Sequence, residues 1–284
     1  MPKPQVCKKY LFIMDSFDIQ QIKFCKFHGA GNDFVLLNAI KNPISLSDND
    51  VFHICNRRTG IGADGLIMIT PSESYDFKMR YFNCDGREST FCGNGGRCAA
   101  CFAYIEGITS ESMTFEAMDG VHKAAVSQLS NCLFTVSLSM RDIEQFQFDG
   151  ERLLINTGSP HFVTKVHNLK DFDVVGQGRK IRCDKEISED GVNVDFMEAR
   201  GNDYFIRTYE RGVEDETLAC GTGVTASALA ASLWFGGQDI DIHTSIATLN
   251  VKFQHNGNGF SNIVLTGPAT YVCNGTYFLV RNAD

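Results

Sequence analysis

Residues 88–100 read ESTFCGNGGRCAA and residues 216–228 read ETLACGTGVTASA. Each block runs Glu, three residues, Cys-Gly, a small polar residue, Gly and then a stretch of small residues. The two cysteines, Cys92 and Cys220, lie 128 positions apart. Other pairs keep nearly the same offset. GAGNDF (29–34) matches TGSPHF (157–162), with Asn32 127 positions before Ser159. Arg80-Tyr81-Phe82-Asn83 matches Arg207-Thr208-Tyr209-Glu210, and Asp64-Gly65-Leu66 matches Asp190-Gly191-Val192. Any one pair could be chance; four in order at a shared offset mark a duplication, which requires two similar halves rather than one continuous core.

Short strands dominate both halves. Phe34–Leu37, Leu66–Ile69, Phe77–Phe82 and Phe134–Leu138, then His161–Val166, Asn193–Met197 and Tyr204–Tyr209, are β-branched or aromatic runs bounded by turn residues. Two Ala-rich segments without proline, Gly95 to Tyr104 and Gly223 to Phe235, are expected to be helices. The second is apolar almost all round, which fits a buried helix. The expected fold is α+β: two pseudosymmetric β-rich domains, each a mixed or antiparallel sheet or barrel wrapped around a central helix that starts just after Cys-Gly-X-Gly. The expected divisions are a flexible extension over 1–21, a first half over 22–140 carrying Cys92, and a second over 141–284 carrying Cys220. The last strand of the chain is expected to be able to return to the first half.

Composition narrows the function. A chain of 284 residues with 43% hydrophobic and 21% charged residues can bury a sizeable core. A net charge of -8 argues against a nucleic-acid or anionic-membrane binder, which needs a basic face, and leaves a small-molecule substrate open. No apolar run nears the ~18 residues of a membrane span, and Met1 to Gln21 makes a poor signal peptide. Eleven scattered cysteines do not suit a disulfide scaffold, so a reducing, cytoplasmic setting is expected. Most of these thiols are read as inert packing. Cys98-Ala-Ala-Cys101 has the spacing of a metal or redox pair, but no second Cys/His pair at zinc spacing accompanies it.

Cys92 and Cys220 differ because of where the duplication puts them. A helix start carries unpaired N–H groups and partial positive charge. It is therefore expected to lower a thiol pKa from about 8.5 toward neutrality, and it can also dock a carboxylate. A thiolate beside a bound carboxylate can take the proton from the adjacent carbon, while a second thiol on the far face returns one. The duplicated block gives both cysteines the same setting, so neither is singled out as the base.

FHGAGNDF (27–34), TGIGADG (59–65), YFNCDGRESTFCGNGGRC (81–98), NTGSPHFV (156–163), GVNVDF (191–196) and YERGVEDETLACGTG (209–223) together resemble the signature blocks of the diaminopimelate epimerase family. The resemblance runs from about residue 22 to the C-terminus. It implies an isomerase of lysine and peptidoglycan-precursor biosynthesis that works without pyridoxal, other cofactor or metal, inverting LL-2,6-diaminopimelate to the meso form with one cysteine from each half. It further implies that Asn32, Asn83, Asn193 and Arg211 hold the substrate's carboxylates and amines. Gly93-Asn94 and Gly221-Thr222 would offer N–H groups to the α-carboxylate. Glu210 and His161 would sit near the thiols, Glu210 also binding substrate, and tune them. A homodimer is a further expectation, although Cys273 stands where a tyrosine is common near the subunit contact. Some members carry Gln at Gly65, and many read Asn-Pro-His where this chain has Ser159-Pro160-His161. A proline or hydroxyproline racemase-like enzyme of the same fold is the alternative, against which Asn83, Asn193 and Arg211 argue. A thiol redox or metal-binding protein is the alternative from another class.

Overall fold

The computed structural model describes residues 17–257 and 259–282. Strands β1 (Phe17–Gly29), β2 (Asn32–Asn38), β3 (Gly65–Thr70), β4 (Phe77–Asn83), β6 (Ser112–Ala117), β7 (Gly120–Gln128) and β8 (Leu133–Ser139) pair in sequence around a ring. The ring closes because one very long strand, β17 (Phe260–Asn282), pairs with both β8 and β1. β5 (Glu88–Ser89) is a short addition to β4. Alternation of buried and exposed residues along β6, β7 and β8 turns Met113, Phe115, Val126, Phe134, Val136 and Leu138 inward, as a period of two requires.

The second half repeats the plan. β9 (Phe146–Phe148), β10 (Arg152–Asn156), β11 (Pro160–Lys165), β12 (Asn193–Arg200), β13 (Asp203–Glu210), β15 (Asp239–His243) and β16 (Thr248–His255) pair in order, with β14 (Asp215–Thr217) on β13. The opening stretch of β17 completes this ring, pairing with β16 and bridging Ile143 through Phe260. Thus β17 belongs to both barrels, and all seventeen strands form one continuous sheet.

Helices α1 (Asp48–Cys55) and α3 (Val174–Arg182) sit at equivalent connections, after β2 and after β11. Helices α2 (Gly93–Ile105) and α4 (Gly221–Phe235) run through the barrel centres. A helix inside a barrel meets side chains on every side, which favours small or apolar residues all round, with Arg97 the charged exception in α2. Accordingly Gly93–Ala103 and Gly223–Ala231 are buried. The equivalent turns Gly29–Asn32 and Asn156–Pro160 need left-handed residues, supplied by Gly31 (φ 83°) and Gly158 (φ 119°).

Three expectations change. Both central helices start two residues earlier than read, at Gly93 and Gly221, so each cysteine is itself the cap. Residues 17–21, read as part of a flexible extension, are strand, because β1 continues its ladder to the Phe17–Asn282 pair; the rest of that extension lies outside the described residues. The sheet register also shifts one repeat pair. Phe34 faces Gly65 as His161 faces Asn193, and Gly65 faces Asn83, so Gly65 is the counterpart of Asn193 rather than of Gly191.

A strand common to both barrels should make them unfold together. Phe115 stacks on Phe77 at 4.8 Å in the first barrel, both fully buried. Phe115→Ala is expected to cost about 3–5 kcal/mol. The urea transition followed by fluorescence of the single tryptophan, Trp234 in α4 of the second barrel, should then move with that followed by far-UV circular dichroism. A Trp234 transition left in place would show independent domains.

Candidate active site

The central helices point their N-termini at each other. A Cβ built on Gly221 would lie 3.5 Å from the Gly93 Cα, and one on Gly93 3.7 Å from the Gly221 Cα. Cys92 and Cys220 cap these helices with matching extended backbones (φ, ψ of -131°, 120° and -109°, 115°), and neither side chain caps its own helix. The duplication thus brings the two cysteines to one junction between the barrels. The Asn94 side chain spans it, donating to the Ala219 carbonyl at 2.9 Å.

The remaining residues named from the sequence converge here. Asn32 begins β2, anchored by donation to Asp64 Oδ2 at 2.8 Å, with its own Oδ1 3.5 Å from the Cys92 sulfur. Asn83 ends β4 and accepts from the Tyr81 hydroxyl at 2.8 Å. Asn193 begins β12, donates to Ser159 Oγ and to the Pro160 carbonyl at 3.0 Å each, and accepts from the Arg211 backbone at 2.8 Å. Arg211 is half-buried, its guanidinium on the Gly191 carbonyl at 3.2 Å, with no carboxylate in salt-bridge range among the described residues. Glu210 ends β13, and burial raises its carboxyl pKa. His161 is fully buried, with Nδ1 2.7 Å from Asp195 Oδ2 and Nε2 2.9 Å from Thr222 Oγ1. Thr222 Oγ1 in turn lies 3.3 Å from the Cys220 sulfur.

Ser159 joins this group through its hydroxyl, 3.0 Å from His161 Nε2 and 3.2 Å from Thr222 Oγ1. At Gly65 there is no room for a side chain, because a Cβ would meet the Phe82 carbonyl at 2.6 Å and the Tyr81 ring at 2.7 Å. Tyr81 occupies that volume instead. Cys98 and Cys101 are buried within α2, where burial raises both thiol pKa values. Among the described residues no group of three His, Cys, Asp or Glu side chains is placed to hold a metal ion.

Burial overturns one expectation. The N–H groups of Gly95 and Asn94 do lower the Cys92 thiol, but desolvation outweighs them and pushes it up to about 11. Cys220 is raised well above the usual thiol range by burial, then by the nearby charges of Glu210 and Asp195, against the opposing Thr222 and Gly223 hydrogen bonds. A helix terminus supplies about half a charge, too little to offset removal of a thiolate from water.

Two buried charges were not anticipated. Asp195 lies mid-strand in β12, and an acidic residue inside an otherwise buried run was the available signal. Arg97, in the second turn of α2, is fully buried and pairs with no carboxylate among the described residues. It donates to Asn94 Oδ1 at 2.8 Å and to the Pro268 carbonyl at 3.3 Å.

Solved structures share this architecture. A Bacillus anthracis phenazine biosynthesis protein of the PhzF family superposes with a TM-score of 0.70 at 16% identity, covering 92% of this chain and 100% of that one. A hydroxyproline epimerase from Agrobacterium vitis gives 0.67 at 14%, covering 93% of each. The fold class is therefore the two-barrel fold of the PhzF proteins and hydroxyproline epimerase. Within it, the diaminopimelate epimerase family profile matches residues 24–137 and 153–272. Diaminopimelate epimerases of Flavobacterium psychrophilum and Chlorobaculum tepidum are each 42% identical over 88% of this chain, spanning 98% and 99% of their own lengths. The chain belongs to the diaminopimelate epimerase family.

Thiols with raised pKa values should react slowly with an alkylating agent near neutrality. Without substrate, the iodoacetamide rate at Cys92, read by peptide mass spectrometry, should climb about tenfold per pH unit from 7 to 10. Levelling off below pH 9 would show that the helix terminus outweighs burial.

Proposed function

We propose that this chain interconverts LL- and meso-2,6-diaminopimelate, with Cys92 and Cys220 as the two acid–base groups. Family membership supports the reaction. The observation that carries the residue assignment is the meeting of two cysteine-capped helix N-termini, one from each barrel, at Gly93 and Gly221. The α-carboxylate docks on the N–H groups of Gly93-Asn94 and Gly221-Thr222. One thiolate breaks the α C–H bond and becomes a thiol, leaving an enediolate, and the opposite thiol protonates the other face and becomes a thiolate. The two sulfurs exchange protonation states and the carbon is inverted.

The raised thiol pKa values fit the chemistry. An α-proton of an amino acid is very weakly acidic, so a dry site that raises the basicity of sulfur narrows the gap to be crossed. Helix N-termini aimed at the carboxylate stabilise the charge that develops on it. Asn32, Asn83, Asn193 and Arg211 hold the substrate's carboxylates and amines, with Arg211 as charge partner of the distal carboxylate. Glu210, whose charge acts on both thiols, binds the substrate amine.

Location in the cytoplasm accords with ten described cysteines that are all free, and no described helix is long and apolar enough to cross a membrane. Pairing with a second copy accords with the cross-strand pairs Ile19–Val280 and Gln21–Phe278, which leave Ile19, Phe278 and Val280 about half exposed on adjoining strands. Sedimentation at micromolar concentration should give a dimer, and a monomer there would remove that reading.

Changing either Cys92 or Cys220 to Ala should abolish epimerisation while leaving circular dichroism unchanged; full activity in either variant would sink the two-thiol mechanism. In deuterated water the enzyme should exchange the α-hydrogen of diaminopimelate. Exchange with proline alone would favour the racemase-like alternative.

A further inference from the structure

We propose that Asp195 is a positioning residue for Cys220 alone: through His161 and the Thr222 hydroxyl it maintains a proton path that Cys92 lacks. This rests on the reading of the two cysteines as the acid–base pair, and assigns them different routes for their protons.

Asp195 is fully buried. Its Oδ1 accepts from the Thr208 hydroxyl at 2.7 Å, and its Oδ2 lies 2.7 Å from His161 Nδ1. A carboxylate has no proton to give, so His161 carries its proton on Nδ1 and presents a lone pair at Nε2. The Thr222 hydroxyl, 2.9 Å away, donates to that lone pair, and its oxygen is then free to accept from the Cys220 thiol at 3.3 Å. A balanced transfer follows. The S–H bond of Cys220 breaks as an O–H bond forms at Thr222, whose original O–H bond breaks as an N–H bond forms at His161 Nε2. The products are a thiolate and an imidazolium stabilised by Asp195, and the reverse transfer restores the thiol. Glu210, from β13, faces the same imidazole.

Among the described residues the first barrel has no such path. By register, Phe34 stands where His161 does and Ile67 where Asp195 does, since Leu36 faces Ile67 as Val163 faces Asp195. The packing agrees: a Cβ on Gly95 would meet Ile67 Cδ1 at 3.1 Å, and one on the equivalent Gly223 would meet Asp195 Oδ1 at 2.5 Å. Cys92 instead has the Asn32 amide oxygen at 3.5 Å. The buried Arg97 cation behind Asn94 favours its thiolate. The duplication built two alike helix starts, and different strand residues behind them made the thiols inequivalent.

The test is alkylation of substrate-free enzyme by iodoacetamide between pH 6 and 10, read separately at Cys92 and Cys220, in wild type, Asp195→Asn, Thr222→Val and Thr222→Ser. In Asp195→Asn and Thr222→Val the Cys220 rate at pH 8 should fall at least about tenfold, the size of one pKa unit. Cys92 should stay within about twofold, and Thr222→Ser, which keeps the hydroxyl, should behave as wild type. Charge removal alone predicts the opposite for Asp195→Asn, because the Asp195 charge raises the Cys220 thiol. Faster Cys220 alkylation in that variant, equal slowing at both cysteines, or no change in Thr222→Val would each overturn the proposal. Should Asp195→Asn fail to fold, by Trp234 fluorescence, the two Thr222 variants decide. Because alkylation needs no substrate, a wild-type enzyme inactive on diaminopimelate would refute the substrate while leaving this result standing.

Discussion

Two helix N-termini buried nose to nose impose a demand that the rest of the molecule meets. The first turn of any helix leaves N–H groups without intrahelical partners, and burying such groups without acceptors is costly. Here two sets share one junction, where a Cβ on Gly221 would reach the Gly93 Cα at 3.5 Å. Bringing them together requires each helix to be enclosed, which the barrels accomplish, and the barrels to be held in fixed relation, which β17 accomplishes by pairing with β16, β8 and β1 in turn. The Asn94 amide, reaching from one helix to the Ala219 carbonyl beside the other, fastens the junction. Helix N-termini in general can dock a carboxylate on such N–H groups.

That enclosure reverses the usual expectation for a cysteine at a helix start. In an exposed setting the partial charge of the terminus lowers a thiol pKa. In this junction desolvation dominates for both sulfurs, and Glu210 adds to it. The consequence is a pair of thiols that ionise reluctantly and are strong bases once ionised, suited to a proton that few groups can remove. The enclosure that makes the thiolate costly also strengthens every interaction with the developing enediolate.

Much of this was legible in the chain itself. The repeated Cys-Gly-X-Gly block placed both helices and both cysteines, and the runs at Phe77–Phe82 and Phe134–Leu138 are strands because alternating burial demands alternating residues. The helix starts were set two residues late because the whole Cys-Gly-X-Gly block was read as the turn before the helix, whereas its first glycine already has helical backbone. The Asp64–Asp190 alignment failed by two residues since Asp-Gly is common turn chemistry, whereas register is fixed by ladders such as Phe34–Gly65. The dual membership of β17 was foreseen only as a possible return to the first half, because a strand's partners are non-local facts. Asp195 escaped notice for a similar reason: nothing within a few residues of it predicts His161, which is set beside it by the β11–β12 pairing.

Duplication explains why two cysteine-capped helix starts meet at one junction, but it does not require that they remain alike. A reaction that inverts one carbon needs one sulfur charged and one protonated at the moment substrate enters, and two identical settings would leave that choice to chance. In the first barrel the residues behind the helix start are Phe34 and Ile67, with the Arg97 cation beyond Asn94. In the second they are His161 and Asp195, linked to the sulfur by a hydroxyl. A cation stands behind one thiol and an imidazole backed by a carboxylate behind the other, so the two sulfurs meet different electrostatic surroundings. Near-symmetry of the backbone brings two alike cysteines to one junction, and a few buried side chains give each a different setting.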